Sequence, residues 1–367
     1  MTAEAGAVVD TRRLYHFGAG PAMLPPEVIA EIRAELPDFR GTGVSILELG
    51  HRTPAFRALM REIEAALRVL LGIPQHYAVL CMQGGAALQF ATVPLNLGGR
   101  GAYLISGQWS LKAFREAAHV AHAHIAWDGK DNGYTQLPEA RDLQLPQDAT
   151  YLHYTVNETI AGVEFQSPPA DVGLPLVADM TSMILSRPID IAKHALLYAS
   201  AQKNLGIAGI TLVVLDPGAL QAPRAGTPSL LDYRVRLAAE SLPNTPPVFA
   251  WYVLGKMLDW TRAQGGPEAL AVRNRHKADT VYAVLDGSGF YLSRVQKSCR
   301  SRMNIPFRLR DSALEPVFLQ EAEAAGLKYL AGHRSTGGIR ASLYNAMPEV
   351  GAAALADFMR EFERRHG

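Results

Sequence analysis

Lys203 closes an apolar run, Leu196-Leu197-Tyr198-Ala199-Ser200-Ala201-Gln202-Lys203, and the chain then turns through Gly206 and Gly209 into a second run from Ile210 to Leu215. An ammonium group is costly to take out of water. A lysine set between two buried strands therefore snorkels out, pairs with a carboxylate, or carries a lowered pKa and does chemistry. Taken alone it also reads as an ordinary turn lysine on the surface. Asp179 ends another apolar run, Pro175 to Asp179, where it could equally cap a turn. Gly84-Gly85 joins a strand-like run, Tyr77 to Met82, to a helix opening at Ala86-Ala87. Such a turn lets backbone N–H groups approach an anion, and it also serves simply to close strand–helix joints. Trp109 follows a third run, and Asn157 to Thr159 a fourth. An amine, a carboxylate, an aromatic ring and an anion cradle are together what pyridoxal 5′-phosphate requires of its protein. The amine bonds the cofactor and moves a proton, the carboxylate keeps the pyridine nitrogen protonated, the ring stacks, and the N–H groups take the phosphate.

The elements that must position these residues alternate. Strands are expected at Tyr77–Met82, Ala102–Ser106, Ala123–Trp127, Thr150–Thr155, Pro175–Asp179, Leu196–Ala199 and Ile210–Leu215, with helices or longer connections between them. Apolar strands separated by helices imply an α/β fold with a mostly parallel seven-stranded sheet covered on both faces. In such sheets ligands collect beyond the carboxyl ends of the strands, where Trp109, Asn157 to Thr159, Asp179 and Lys203 all fall. The apolar spacing of Phe56, Leu59, Met60, Ile63, Leu67, Leu70 and Leu71 marks an amphipathic helix over Pro54–Leu71. The loop before it, Pro37 to Thr53, contains His51-Arg52. Three parts are expected: a loose N-terminal extension over 1–16, a large α/β domain over 17–265, and a small α+β domain over 266–367 beginning at the Gly265-Gly266-Pro267 break. In the small domain, strands are expected at Tyr291–Val295, Met303–Leu309, Tyr329–Ala331 and Ile339–Leu343, before a terminal helix Glu349–Arg364.

Composition narrows the classes of function. The 367 residues are 48% hydrophobic and 19% charged, with a formal net charge of +1. That balance argues against nucleic-acid binding through bulk charge and leaves local anion sites open. Cys81 and Cys299 lie far apart and form neither a metal-ligand spacing nor a disulfide framework. No run approaches the roughly 20 apolar residues of a membrane helix, and the N-terminus lacks the pattern of a secretory signal. A reduced, cytoplasmic protein with no membrane partner and no metal is expected.

The runs Val177-Ala178-Asp179-Met180-Thr181-Ser182, Ala201-Gln202-Lys203-Asn204 and Asn157-Glu158-Thr159-Ile160 together resemble the phosphoserine aminotransferases, of the class V branch of fold-type I pyridoxal-phosphate enzymes. The likeness runs from Phe17-Gly18-Ala19-Gly20-Pro21 nearly to the C-terminus. It includes Ser301-Arg302-Met303-Asn304, Gly332-His333-Arg334-Ser335-Thr336-Gly337-Gly338-Ile339-Arg340 and Tyr344-Asn345-Ala346-Met347-Pro348. Carried over by matching motif, the resemblance implies that Lys203 forms the Schiff base and Asp179 holds the pyridine nitrogen. It gives Trp109 the stacking role and Thr159 the side of the ring's phenolic oxygen. Ala86, Ala87 and Gln202 hold the cofactor phosphate, with Asn244 and Thr245 reaching from the other subunit of a homodimer. For the substrate it implies Arg340 on the carboxylate, and His51, Arg52, His333 and Arg334 on the phosphate. Ala87 is a departure, since some members carry an arginine there. The implied reaction passes the amino group of L-glutamate to 3-phosphohydroxypyruvate, giving O-phospho-L-serine and 2-oxoglutarate. Lys203 would move a proton between the substrate Cα and the cofactor C4′. The resemblance also implies activity on 4-phosphohydroxythreonine, of pyridoxine synthesis. The rival readings are an aminotransferase for unphosphorylated substrates, such as a serine–pyruvate or alanine–glyoxylate type, which would leave the His-Arg pairs unexplained; a cysteine desulfurase using Cys299; and a binding protein without catalysis.

Overall fold

The computed structural model describes residues 14–169 and 172–367. The extension expected over 1–16 lies outside these residues apart from Leu14, Tyr15 and His16. The chain opens with β1 (Tyr15–His16), α1 (Pro26–Glu35) and α2 (Pro54–Leu71). Then come β2 (Ala78–Met82), α3 (Gly85–Leu97), β3 (Arg100–Ile105), α4 (Gln108–Val120), β4 (His122–Asp128) and β5 (Ala149–Thr155). A small hairpin, β6 (Asn157–Glu158) and β7 (Val163–Glu164), precedes β8 (Leu176–Asp179), β9 (His194–Ser200) and β10 (Thr211–Leu215). Helices α5 (Tyr233–Ala238), α6 (Val248–Ala263) and α7 (Gly266–Gly287) lead to β11 (Tyr291–Leu292), β12 (Asn304–Leu309), α8 (Glu315–Ala324), β13 (Leu327–Lys328), β14 (Ile339–Ser342) and α9 (Glu349–His366).

Local chemistry accounts for α2, the most regular of these elements. Thr53 Oγ1 accepts from Phe56 N–H at its start, proline occupies the first turn, and Gly72 ends it at φ 61°. Its buried stripe, Phe56, Leu59, Ile63, Leu67 and Leu71, packs with α6 beneath the sheet. The seven-stranded sheet has the order β2-β10-β9-β8-β5-β3-β4, and β10 runs antiparallel to both of its neighbours while the remaining pairs are parallel. Both faces are covered. Along β9, Leu197 and Ala199 enter the core shared with α2 and α6, while Leu196 and Tyr198 enter the core shared with α3. Burial of each large apolar side chain contributes about 1.5–3 kcal/mol.

A second core gathers α7, α8, α9 and the antiparallel sheet β11-β12-β14. The segment just after residue 16 packs here as well: β1 pairs with β13, and Phe17 and Met23 are buried in this second core. Two strand expectations in this part are not met as the sequence suggests. Only Tyr291 and Leu292 pair with β12, so that strand ends well before Val295. The run at Tyr329–Ala331 forms no strand, because Tyr329 adopts φ 62°, leaving Ala331 a single bridge to Ile339. The two cores are joined beside Lys203 by an amide web. Asn345 N–H donates to Asn204 Oδ1 at 3.0 Å, and Asn345 Nδ2 donates to the Leu185 carbonyl. Asn274 Nδ2 reaches Asn345 Oδ1 and the Ser186 carbonyl. No helix among the described residues is long and apolar enough to cross a membrane.

Candidate active site

The carboxyl ends of the parallel strands meet at one edge of the sheet. Thr155 at the end of β5 lies beside Asp179 at the end of β8, and Asp179 beside Tyr198 of β9. Because β10 starts at this same edge, the link from β9 is a hairpin, closed by Ala201 N–H on the Ile210 carbonyl at 2.9 Å. Lys203 sits in that link, 8% exposed. Gly209 takes φ 131°, a conformation side-chain-bearing residues rarely adopt, and a Cβ there would crowd Ala250 Cβ at 3.2 Å.

Lys203 Nζ donates to Thr159 Oγ1 at 2.8 Å. Burial pushes its amine down to about 8; the Asp179 and Glu158 carboxylates oppose this and Arg340 adds to it. Asp179 is buried and accepts Thr181 N–H on Oδ1 at 2.9 Å. Burial raises its carboxyl above the ordinary value, against its bonds with Thr181 and the charge of Lys203. The turn from β2 to α3 takes φ 98° at Gly84 and 69° at Gly85, values that glycine adopts readily. Ser200 Oγ accepts Ala86 N–H at 2.5 Å, so the hydroxyl at the end of β9 holds the first turn of α3.

Trp109 is placed by a residue far from it in the chain. Glu158, fully buried, accepts Trp109 N–H at 3.2 Å, Ser110 N–H at 2.8 Å and the Ser110 hydroxyl at 2.7 Å. A carboxylate on the free N–H groups that open α4 also complements the helix dipole. Burial holds the Glu158 carboxyl above its ordinary range, and these three bonds pull it back. Opposite the sheet, Tyr344 donates its hydroxyl to the Ala19 carbonyl at 2.8 Å, fixing the Ala19–Pro21 segment over the site, and Lys203 Nζ stands 5.9 Å from its ring centre.

These groups surround a cavity of about 740 Å³ lined by Ala86, Ala87, Trp109, Thr159, Asp179, Gln202, Lys203, His333 and Arg340 among the expected residues. Five others do not line it. His51 and Arg52 lie on the loop before α2, Arg334 lies beyond His333, and Asn244 and Thr245 are exposed at the approach to α6. Asn244 is nonetheless held: buried Arg236 donates to its Oδ1 at 3.2 Å, and its Nδ2 donates to Gln83 Oε1 at 3.0 Å. Asn157, placed with Thr159 at a strand end by the sequence, lines the cavity too, as do Thr155, Thr181, Ser200 and Lys112, which were not singled out as site residues. For Thr155 and Ser200 the available signal was a polar residue ending an apolar strand run.

The cavity fits pyridoxal 5′-phosphate. Trp109 Nε1, Thr155 Oγ1, Asn157 Oδ1 and Arg340 Nε are buried with no hydrogen-bond partner in the protein, and all four residues line this one space. Orphaned polar atoms are costly unless a ligand satisfies them. The volume is that of a small-molecule site, and an amine, a carboxylate, a ring and an N–H cradle stand around it.

The family described as Aminotransferase class-V matches residues 14–355. The phosphoserine aminotransferase of Hahella chejuensis is 48% identical over 96% of this chain and 99% of that protein. Among solved structures, the phosphoserine aminotransferase from Bacillus circulans subsp. alkalophilus superposes with a TM-score of 0.94, at 42% identity, covering 97% of this chain and 99% of that one. The pyridoxal-phosphate-bound phosphoserine aminotransferase from Trichomonas vaginalis gives 0.91 at 35% identity, covering 95% of this chain and all of that one.

Proposed function

Because the chain belongs to the class-V aminotransferases, and among them to the phosphoserine aminotransferases, we propose that the cavity at the carboxyl edge of the sheet is where its reaction takes place. That reaction is amino transfer from L-glutamate to 3-phosphohydroxypyruvate, giving O-phospho-L-serine and 2-oxoglutarate, with pyridoxal 5′-phosphate as cofactor. The observation that carries the assignment to this cavity is the gathering of a buried lysine, a buried carboxylate and four orphaned polar atoms around one space.

When bound, the cofactor supplies a ring that accepts electrons from the bond being broken at the substrate Cα. Asp179 would keep the pyridine nitrogen protonated, and Trp109 would pack on the ring face. The N–H groups at Ala86 and Ala87, with Gln202, would take the phosphate. Lys203, close to half neutral when the pH is near its value of about 8, is suited to take a proton from the substrate Cα and return it nearby. Thr159 Oγ1 holds that amine at 2.8 Å. Arg340, half-buried with its Nε enclosed and unpartnered, is suited to the substrate carboxylate, and His333 stands beside it in the cavity.

The residues outside the cavity support a homodimer. Asn244 and Thr245 face outward although Arg236 and Gln83 fix Asn244, as expected if they complete the partner's phosphate site. His51, Arg52 and Arg334 are assigned the substrate phosphate by resemblance alone. We also propose a cytoplasmic location, in keeping with two free, buried cysteines, and activity on 4-phosphohydroxythreonine.

The test is a coupled assay with 2-oxoglutarate and either phosphoserine or serine. Two charge-assisted hydrogen bonds to the phosphate, at about 1.5–3 kcal/mol each, predict a preference for phosphoserine of about 10²–10⁴-fold in kcat/KM. Equal use of the two substrates would remove the phosphorylated-substrate reading. A parallel arm with 4-phosphohydroxythreonine tests the second activity, and absence of turnover rejects it.

A further inference from the structure

Asn244 and Thr245 are exposed, yet both are held from inside their own chain. Arg236, only 4% exposed, donates to Asn244 Oδ1 at 3.2 Å and to the Leu230 carbonyl at 3.0 Å. A guanidinium can only donate, so the Asn244 atom that faces it is the oxygen, and the amide NH2 is turned the other way. One of its hydrogens goes to Gln83 Oε1 at 3.0 Å; the other finds only the Thr245 carbonyl, at the outer limit of 3.5 Å. Gln83 donates through Nε2 to that same carbonyl at 2.9 Å. The Thr245 backbone is thereby fixed, while its hydroxyl has no partner among the described residues. Pro246 and Pro247 stiffen the chain just beyond. Water satisfies an asparagine on an open surface from any direction, so support of this kind implies a donor that must point one way.

Resting on the shared-site reading above, we infer that Gln83 and Arg236 are positioning residues for the partner's cavity: they turn the Asn244 N–H and the Thr245 hydroxyl outward as donors for the cofactor phosphate bound there. A freely rotating Asn244 amide would present either end, and its oxygen would repel a phosphate. The Arg236 bond removes that choice. Among the described residues Arg236 has no carboxylate partner, so its whole charge acts on the amide it bonds and makes the outward N–H a stronger donor. Gln83 completes the chain of orientations, because the Asn244 NH2 requires its oxygen and the Thr245 carbonyl requires its nitrogen. Gln83 directly precedes Gly84-Gly85, which line the cavity of its own chain. Its side chain nevertheless serves the other cavity of the dimer.

The test uses heterodimers purified through a different tag on each chain, stripped of cofactor and titrated with pyridoxal 5′-phosphate, with binding read from the visible absorbance of cofactor bonded to Lys203. Each assembly keeps one Lys203 cavity. In the first, Gln83→Met and Lys203→Ala lie on different chains; the remaining cavity draws Asn244 from a chain with native Gln83, and its affinity equals that of a heterodimer carrying Lys203→Ala alone. In the second, both substitutions lie on one chain beside a wild-type partner, and the wild-type chain's cavity binds the cofactor about 10-fold more weakly, the worth of one charge-assisted hydrogen bond. Both assemblies carry the same two substitutions, so a defect in folding weakens them alike. Equal affinities in the two assemblies, or weaker binding in the first alone, overturn the inference. Asn244→Asp keeps the Arg236 bond but turns an oxygen outward, and binds the cofactor more weakly than Asn244→Ala; binding as tight as that of the Ala variant, or tighter, also overturns it. A wild-type protein that is monomeric, or that gains no visible absorbance with the cofactor, instead removes the shared-site reading on which the inference rests, and that arm is read before any variant is made.

Discussion

The titration of Lys203 can be followed directly in protein freed of cofactor. Burial lowers its amine from 10.5 to about 8, a change equivalent to about 3.4 kcal/mol against the charged form. At pH 7 such an amine is neutral about one time in ten, whereas an ordinary lysine is neutral about three times in ten thousand. Acetylation by trace acetic anhydride, with the Lys203 peptide quantified by mass spectrometry, should rise roughly tenfold per pH unit below pH 8 and level off by about pH 9. Exposed lysines in the same digest continue to rise past pH 10. Two substitutions give the sign. Asp179 favours the ammonium and Arg340 disfavours it, so Asp179→Asn moves the midpoint below that of the native protein and Arg340→Gln moves it above, by about one unit each. Stability follows the same linkage. Between pH 8 and 10.5 the unfolded chain holds a proton on this lysine that the folded chain has lost, so this group's contribution makes stability rise with pH across that window. The penalty is complete below about pH 8 and gone above about 10.5. Labelling of Lys203 that tracks the exposed lysines past pH 10, or a reversed order of the two variants, would refute the reasoning.

Two further outcomes concern groups outside the reacting pair. Glu158→Gln keeps one acceptor oxygen and sets its NH2 against the backbone N–H that the other oxygen accepted, and should lower stability by about 1–3 kcal/mol in a denaturant titration and weaken cofactor binding as the anchor of Trp109 loosens; an unchanged midpoint would show that α4 holds Trp109 without it. Mixing Lys203→Ala chains with Asn244→Ala chains tests the shared site. If Asn244 serves the partner's cavity, each mixed dimer has one intact site and an equal mixture regains about a quarter of wild-type activity, whereas no recovery would place Asn244 in its own chain's site.

Much of the architecture was legible because it follows from local pattern. The stripe of α2, with Thr53 before it and Gly72 after it, appears in the structure as its spacing dictates, and the apolar runs ending at Asp179 and just before Lys203 are strands. What escaped was non-local or conformational. Glu158 stood in a recognised motif, yet its bonds to Trp109 and Ser110 cross 49 and 48 residues, a pairing no window of sequence reveals. Tyr329 has ordinary strand propensity, yet its backbone takes a left-handed φ of 62° just after β13, which no local pattern signals. Phe17 belongs to a core built mainly from residues after 277, because β1 pairs with β13 at the far end of the chain. Motifs name residue types without saying which cavity they face, so His51, Arg52, Arg334, Asn244 and Thr245 could be named but not placed.

Because β10 runs against its neighbours, the chain returns to the sheet after Lys203 through a pinned hairpin, with no crossover helix that could shift as a body. Ala201 is bonded across to Ile210, and Asn204 is tied to Ile184 and Asn345 on either side of the junction between the cores. The backbone under the amine is thus a fixed pivot, and the stroke of the proton carrier is the swing of one lysine side chain, at most a few ångströms long. Any substrate that this protein converts must bring its Cα within that arc, so shape at the reacting carbon is judged by reach while charge at the far end is judged by the cations of the cavity wall.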